Sequence, residues 1–167
     1  MSTQTTTEPY RLVSGEGLAD VWWKAGRITV KAGPDQTGNA FSQFVVDDPR
    51  GSGPPLHVHH NEDEILHILE GVMRFRLGDQ ELVVEAGHTA VAPKGVPHTF
   101  RVESEGGVRV LVMTPRGDFE GLVQEASRPA EGDGLPPPSI PTPAEIHALA
   151  EASERHGITI LGPPMAA

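Results

Sequence analysis

The sequence contains no cysteine among its 167 residues. This absence excludes disulfide bonds, thiolate nucleophiles, iron–sulfur clusters and the cysteine-rich kind of structural zinc site. Histidine and carboxylate side chains are therefore the ligands left for any transition metal. A chain of this length is expected to form one domain, whose core needs no covalent cross-links.

Basic residues are also few, since 13 Lys and Arg stand against 23 Asp and Glu and give a formal net charge of -10. This sign opposes binding to phosphates, so nucleic acid is not an expected partner. Long apolar runs are missing as well: stretches such as Val108–Met113 fall far short of the roughly twenty residues that cross a bilayer. A membrane is therefore not an expected partner either.

The opening segment, Met1–Pro9, is polar and rich in threonine. It has neither the basic start nor the apolar stretch of a secretory signal. We therefore expect a cytoplasmic protein.

Short β-rich stretches, separated by Gly, Pro, Asn and Asp, fill the region from Val21 to Thr114. No long helical period interrupts them, which predicts an all-β, antiparallel fold such as a sandwich or a jelly roll. In one stretch, Met73, Phe75 and Leu77 alternate with arginines, so its apolar face should line the barrel. The nine predicted strands are Arg27–Lys31, Ala40–Val46, Leu56–His59, Glu64–Leu69, Val72–Leu77, Glu81–Glu85, Thr89–Ala92, His98–Glu103 and Val108–Met113.

Turn residues predict two β-hairpins in this region. The segments Gly78-Asp79-Gln80 and Glu105-Gly106-Gly107 contain residues that reverse the chain within a few positions. Each segment joins two predicted strands, so we expect the strands on either side of it to pair with each other.

A short helix is predicted after the last strand, where Phe119, Leu122, Val123 and Ala126 follow the spacing of one helical face. This helix should cover one end of the barrel.

The remaining residues predict a linker and a second helix. Residues 127–141 are rich in proline and glycine, which favours an extended linker that acts as a strap or a spacer. Thr142, Pro143 and Glu145 form a helix-start signal, so a helix is expected from Pro143 to His156, and Ile158–Leu161 could add an edge strand. The predicted organisation is a polar arm (1–20), a barrel with its short helix (21–126), the linker (127–141), and the C-terminal helix and tail (142–167).

The residues that carry chemistry lie in the stretch 51–64. On a strand, residues two apart point to the same side, so His57 and His59 should project together. Glu64 opens the next strand after a polar turn, and we expect one hairpin to bring all three side chains together. A second turn, Pro93–Pro97, delivers His98 at the start of another strand. These four residues predict one metal site.

Three imidazoles and a carboxylate suit a divalent transition metal: nickel, iron, manganese, cobalt, copper or zinc. Such a set leaves coordination positions open for water, dioxygen or substrate, which favours catalysis over a closed structural site. The competing interpretation is an exposed polar hairpin. His60 should point to the opposite face from its neighbours, and Glu62 and Asp63 are expected to be turn residues.

In these residues the sequence resembles the cupin superfamily. Its first motif is matched by Gly51, His57, His59, Glu64 and Gly71, each at the family's spacing. Its second motif is matched by Gly87, Pro93, Gly95 and His98, whereas Val102 stands where the family usually has asparagine. The segment Pro115–Gly121 and the C-terminal helix are similar, less closely, to small bacterial single-cupin proteins of the quercetin 2,3-dioxygenase-like group.

The resemblance implies a jelly-roll barrel, usually dimeric, with the metal at its centre. It suggests a dioxygenase that acts on a flavonol-like or enolisable aromatic substrate, with Glu64 as both metal ligand and general base. A homodimer, a small-molecule substrate and dioxygen are then the expected partners. Candidate walls of an apolar substrate pocket are Phe44, Met73, Phe75, Phe100 and Met113.

Two alternatives use the same residues. A metal-dependent cyclase or isomerase of keto substrates would need an identical ligand set. A non-catalytic module that binds a small molecule would also retain it. Oxygen consumption in the presence of a flavonol separates the dioxygenase from the cyclase or isomerase, and saturable ligand binding without turnover would favour the binding module.

Overall fold

The computed structural model describes residues 8–166, which form two antiparallel β-sheets and three helices. The strands are β1 (Ala19–Trp23), β2 (Gly26–Ala32), β3 (Phe41–Asp48), β4 (Pro55–His59), β5 (Glu64–Glu70), β6 (Val72–Leu77), β7 (Gln80–Glu85), β8 (Thr89–Ala92), β9 (His98–Val102), β10 (Val108–Pro115), β11 (Arg128–Pro129) and β12 (Ile158–Pro164). The helices are α1 (Pro34–Thr37), α2 (Asp118–Ala126) and α3 (Pro143–Arg155).

The two sheets face each other as the layers of a jelly roll. One has seven strands in the order β11-β1-β2-β3-β10-β5-β8, and the other has five in the order β12-β4-β9-β6-β7. Consecutive strands often lie in different sheets, so the chain crosses repeatedly from one layer to the other. The predicted all-β jelly roll, with a short helix after the barrel and a C-terminal helix, is confirmed.

The core lies between the sheets because strands such as β6 and β10 direct alternate side chains inward. On β10, Val108, Val110 and Val112 are buried, while the residues between them lie on the outer face. On β6, Met73 and Phe75 are fully buried in the same core cluster, as their alternation with arginines predicts.

All nine predicted strands are present, with ends that differ by at most two residues. The sequence reading missed β1, α1 and β11. Strand β1 was not predicted because its sequence shows no clear alternation. Its Trp22 is buried by a distant part of the chain, the segment 127–141. The indole Nε1 donates to the carbonyl oxygen of Gly134 at 3.0 Å, and the ring contacts Arg128.

One of the two predicted hairpins is wrong. Strands β6 and β7 pair as expected around Gly78 and Asp79. Strands β9 and β10, however, lie in different sheets, so the turn at Glu105–Gly107 is a crossing between layers and not a hairpin. Turn residues specify that the chain reverses, whereas burial of the apolar faces decides which strands pair.

The proline-rich segment 127–141 lies against the seven-stranded sheet. Strand β11 pairs with β1 at the sheet edge, and Arg27 donates to the carbonyl oxygen of Asp133 at 2.6 Å. Of the two roles expected for this segment, the contacts favour the strap. Within residues 8–166, no helix combines the length and the apolar character that a membrane span requires.

Helix α3 leads the chain back to the strand that carries the paired histidines. The helix starts with the predicted capping box, in which Thr142 and Glu145 exchange hydrogen bonds. It is followed by β12, the predicted edge strand, which extends to Pro164 and pairs with β4 so that Ile158 lies opposite His59. The C-terminal residues therefore support one side of β4.

Candidate metal centre

Strands β4 and β9 place three histidines side by side on the five-stranded sheet. His57 and His59 project from the same face of β4, two residues apart, as the alternation predicts. His98 opens β9 and lies directly opposite His57 in the register of the two strands. The ring centroids are 4.3 Å apart for His57 and His98, and 5.4 Å apart for His59 and His98.

Glu64 reaches the same point from the opposite sheet. It opens β5, which belongs to the seven-stranded sheet, whereas β4 belongs to the five-stranded sheet. The expected hairpin of His57, His59 and Glu64 is therefore wrong, because the turn 60–63 carries the chain across the barrel. The convergence itself is present: one ligand atom from each of His57, His59, Glu64 and His98 lies within 4.8 Å of the others. We call these four residues the His/Glu cluster.

The two loops beside the His/Glu cluster are held to each other by hydrogen bonds. The amide of Gly95 donates to the carbonyl oxygen of His59 at 2.8 Å, and the amide of Lys94 donates to Asp63 Oδ1 at 2.9 Å. Gly95 has a φ of +80°, a left-handed conformation that glycine adopts without a steric penalty. These bonds fix the loop before His98 relative to the end of β4.

Each of the three imidazoles is oriented by a hydrogen bond at Nδ1. Nδ1 of His57 lies 2.8 Å from the carbonyl oxygen of Pro55, and Nδ1 of His98 lies 2.9 Å from that of Val96. Nδ1 of His59 lies 3.1 Å from Glu62 Oε1. Because carbonyl and carboxylate oxygens accept hydrogen bonds, we assign the hydrogen to Nδ1 in all three rings. Their Nε2 atoms are then the ring nitrogens that could bind a metal ion.

Burial and charge set the protonation of the His/Glu cluster. Burial, with the neighbouring charge of His98, lowers the pKa of His57 to about 3. Burial alone would raise the pKa of Glu64, but the hydrogen bond from His98 and the surrounding imidazoles lower it to about 2. At neutral pH Glu64 is therefore a carboxylate and His57 is neutral, the states that metal binding needs.

The contact between His98 and Glu64 is the direct test of whether these residues fit a cation. Nε2 of His98 lies 3.0 Å from Glu64 Oε2, although Nδ1 of the same ring already donates to Val96. With the ring hydrogen on Nδ1, both His98 Nε2 and Glu64 Oε2 carry lone pairs that can bind a cation. They can lie this close together when a second proton on the ring or a metal ion is shared between them. Burial alone would lower the pKa of His98, yet Glu64 raises it. The donor set therefore fits a cation.

Glu62 is the residue near the site that the sequence reading missed. It was expected to be a turn residue, but its side chain is 2% exposed and accepts from His59. A signal was available, since Glu62 and Glu64 are two apart and share the inward side if the extended backbone begins before Glu64. His60 lies outside the His/Glu cluster, as expected, and contacts Thr159.

The residues predicted to line a substrate pocket occupy different places. Phe44, Met73 and Phe75 are fully buried in the core, and Phe100 packs against it. Met113 lies on the outer face of β10, between the buried Val112 and Thr114, so the structure does not bring it to the His/Glu cluster. A role in substrate binding stays a prediction for the other four.

Two phenylalanines contact the imidazoles directly. The ring of Phe75 stacks against His98 at a centroid distance of 6.5 Å and an interplanar angle of 11°. Phe119, at the start of α2, lies 6.1 Å from the ring of His59. Phe119 was expected only as part of the helix's apolar face, because nothing in the local sequence indicates which end of the barrel the helix covers.

A family model described as "Cupin domain" matches residues 43–114 of this chain. The quercetin 2,3-dioxygenase of Bacillus subtilis is 30% identical over 129 residues, which are 77% of this chain and 38% of that enzyme. An uncharacterized protein of Methanocaldococcus jannaschii is 34% identical over 65 residues, which are 39% of this chain and 50% of that protein. The matched part thus spans at most half the length of these curated relatives.

Solved structures share the fold. A predicted oxalate decarboxylase from Thermotoga maritima is 19% identical, with a TM-score of 0.55 over 62% of this chain and 95% of that one. KdgF from Halomonas sp. is also 19% identical, with a TM-score of 0.51 over 57% of this chain and 84% of that one. At this level of identity the likeness concerns the architecture alone.

Proposed function

Because the chain belongs to the cupin superfamily, we propose that its His/Glu cluster binds one divalent transition-metal ion and that the protein is a metal-dependent dioxygenase. The proposed substrates are flavonol-like or other enolisable aromatic compounds. The observation that carries the proposal is the convergence of three imidazoles and one carboxylate within 4.8 Å inside the barrel. The similarity to a quercetin 2,3-dioxygenase supports the reaction class.

The proposed ligands are Nε2 of His57, His59 and His98 and a carboxylate oxygen of Glu64. Nickel, iron, manganese, cobalt, copper and zinc all accept such a set, so availability decides among them. When bound, such an ion supplies Lewis acidity and a template for the substrate oxygen and dioxygen. With four protein ligands, a five- or six-coordinate ion would keep positions open for them.

Glu64 is proposed to accept the proton of the substrate hydroxyl. Its carboxylate is ionised at neutral pH, since its pKa is lowered to about 2. The same low pKa makes it a weak base, so proton transfer requires that the substrate hydroxyl become more acidic on binding. The proton would move from the substrate oxygen to a carboxylate oxygen of Glu64, leaving the substrate as an anion.

Aromatic side chains around the His/Glu cluster are consistent with a flat, apolar substrate. Phe75 stacks on His98, and Phe119 packs between His59 and Phe44. Apolar walls with a few polar groups are typical of sites that bind small molecules. The proposed site is distinct from a cleft of about 260 Å³ whose lining residues include Asp47, Arg109 and Leu135 but none of the His/Glu cluster.

The direct test is oxygen consumption by metal-loaded protein. Metal content is measured on the purified protein, and an oxygen electrode then records uptake with quercetin and with a series of diketones. We expect stoichiometric metal and oxygen uptake that requires both the metal and the flavonol. Stoichiometric metal without uptake on any of these compounds would contradict the dioxygenase proposal and favour the cyclase or the binding module.

A homodimer is also proposed, supported by an apolar patch on the outer face of the seven-stranded sheet. Met113, Ile65 and Val91 lie directly opposite one another across β10, β5 and β8. Val91 is 49% exposed, and Met113 and Ile65 are partly exposed. A two-fold contact between copies would cover the same patch on both subunits.

The Val91→Lys variant is expected to halve the molar mass measured by light scattering after size-exclusion chromatography. A charged side chain buried within the contact would have to lose its water, which opposes association. Val83→Lys is the matched control, because Val83 is 61% exposed on β7 of the other sheet. A monomeric wild-type protein, or a dimeric Val91→Lys variant, would contradict this use of the patch.

A further inference from the structure

We propose that Glu62 is a positioning residue that fixes the ring of His59 for metal binding and holds the start of helix α2 against the site. This inference rests on the proposed metal site. Glu62 belongs neither to the His/Glu cluster nor to the two cupin motifs.

The geometry singles out Glu62 because the three imidazoles are not oriented in the same way. His57 and His98 are each held by the backbone carbonyl two residues earlier, at Pro55 and Val96. Such carbonyls are present whatever side chains those positions carry. His59 instead depends on a side chain, Glu62 Oε1, at 3.1 Å. A substitution can therefore remove the hydrogen-bond acceptor of His59, whereas the acceptors of His57 and His98 belong to the backbone.

The same oxygen of Glu62 has a second donor. The backbone amide of Phe119 donates to Glu62 Oε1 at 2.8 Å. Phe119 is the second residue of α2, whose N-cap is Gly117 and provides no side-chain hydrogen bond. The first amides of a helix lack partners within the helix, so an acceptor from elsewhere has to satisfy them. Glu62 supplies that acceptor across the barrel end.

Both partners of the His59–Glu62 contact are 2% exposed. A buried carboxylate loses its hydration, so its presence here requires compensating hydrogen bonds from protein donors. The ring of His59 and the amide of Phe119 provide them at Oε1, whereas Oε2 has no hydrogen-bond partner among residues 8–166. The arrangement fixes Nδ1–H on His59 and directs Nε2 to the proposed ligand position.

The test measures Zn²⁺ affinity by competition with a chromophoric chelator in Glu62→Ala, Glu62→Gln and wild-type protein. We expect Glu62→Ala to bind Zn²⁺ about 10- to 100-fold more weakly, the usual effect of removing a partner of a ligating histidine. Glu62→Gln should retain most of the affinity, because its amide oxygen can still accept from both donors. The matched control is Glu120→Ala, which removes a buried carboxylate that bonds to Ser42 and Gln124 and should leave affinity unchanged.

A second readout needs no metal. Nitrogen-15 NMR of the imidazoles in metal-free protein reports which ring nitrogen carries the hydrogen. We expect His59 to hold it on Nδ1 in the wild type and in Glu62→Gln, and to exchange between both nitrogens in Glu62→Ala. His57 should keep its tautomer in all three proteins, since a backbone carbonyl holds it.

The outcomes separate this inference from the proposed function. Wild-type affinity in Glu62→Ala, together with an unchanged His59 tautomer, would overturn the role of Glu62 and leave the metal site intact. A wild-type protein that binds no Zn²⁺ would contradict the metal site, while the tautomer measurement would still decide the role of Glu62. Equal losses in Glu62→Ala and Glu120→Ala would assign the effect to general damage and overturn the inference.

Discussion

The His57→Ala variant is expected to lose its metal ion at ion concentrations that saturate the wild-type protein. Removing one of four ligands should weaken binding by more than the roughly 10- to 100-fold that loss of an outer partner costs. His57 is the most suitable of the three histidines for this test, because His59 and His98 are more deeply buried and their removal would disturb the core more. The measurement is metal content after gel filtration, with affinity from chelator competition.

The control for this prediction is the neighbouring imidazole. His60→Ala removes an exposed ring that contacts Thr159 and lies outside the His/Glu cluster, so its metal content should match the wild type. His98→Ala should behave like His57→Ala, although His98 is 1% exposed and its loss also leaves a cavity. Unchanged metal content in both His57→Ala and His98→Ala would refute the ligand assignment.

The Glu64→Gln variant is expected to retain part of its metal and to lose turnover. The amide oxygen of glutamine can still approach an ion, so binding weakens without disappearing. Glutamine cannot take a proton from the substrate, and loss of a general base typically lowers the rate by about 10²- to 10⁴-fold. The measurement is oxygen uptake with quercetin at metal concentrations that saturate each protein.

Glu70→Gln is the matched control for Glu64→Gln, because Glu70 is exposed at the far end of the same strand. It should turn over quercetin at the wild-type rate. Full activity in metal-loaded Glu64→Gln would contradict the role of Glu64 as a base, while its role as a ligand would be judged from the metal content alone.

The strands and the side chains that face inward follow from the sequence because both depend on local alternation. The stretches 72–77 and 89–92 coincide with β6 and β8, and His57 and His59 share a face as two-residue spacing requires. The capping residues Thr142 and Glu145 likewise start α3 where expected. These features need no information about distant parts of the chain.

The pairing of strands could not be obtained in the same way. Local turn chemistry predicts that the turns after His59 and before Val108 join paired strands, but both turns cross between sheets. The choice of partner depends on which apolar faces are covered together, and that is a property of the whole barrel. The inward position of Glu62 follows from the same crossing, since the chain must pass the barrel end before β5 begins.

The crossing at residues 60–63 also has a mechanical consequence. Three proposed ligands belong to the five-stranded sheet and Glu64 belongs to the seven-stranded sheet. An ion bound by all four would therefore link the two sheets. Ligand binding to the folded state alone stabilises it by about 2.7 kcal/mol when the free ion is at 100 times its dissociation constant. The centre proposed for chemistry would then double as a cross-link, in a protein that has no cysteine with which to make one.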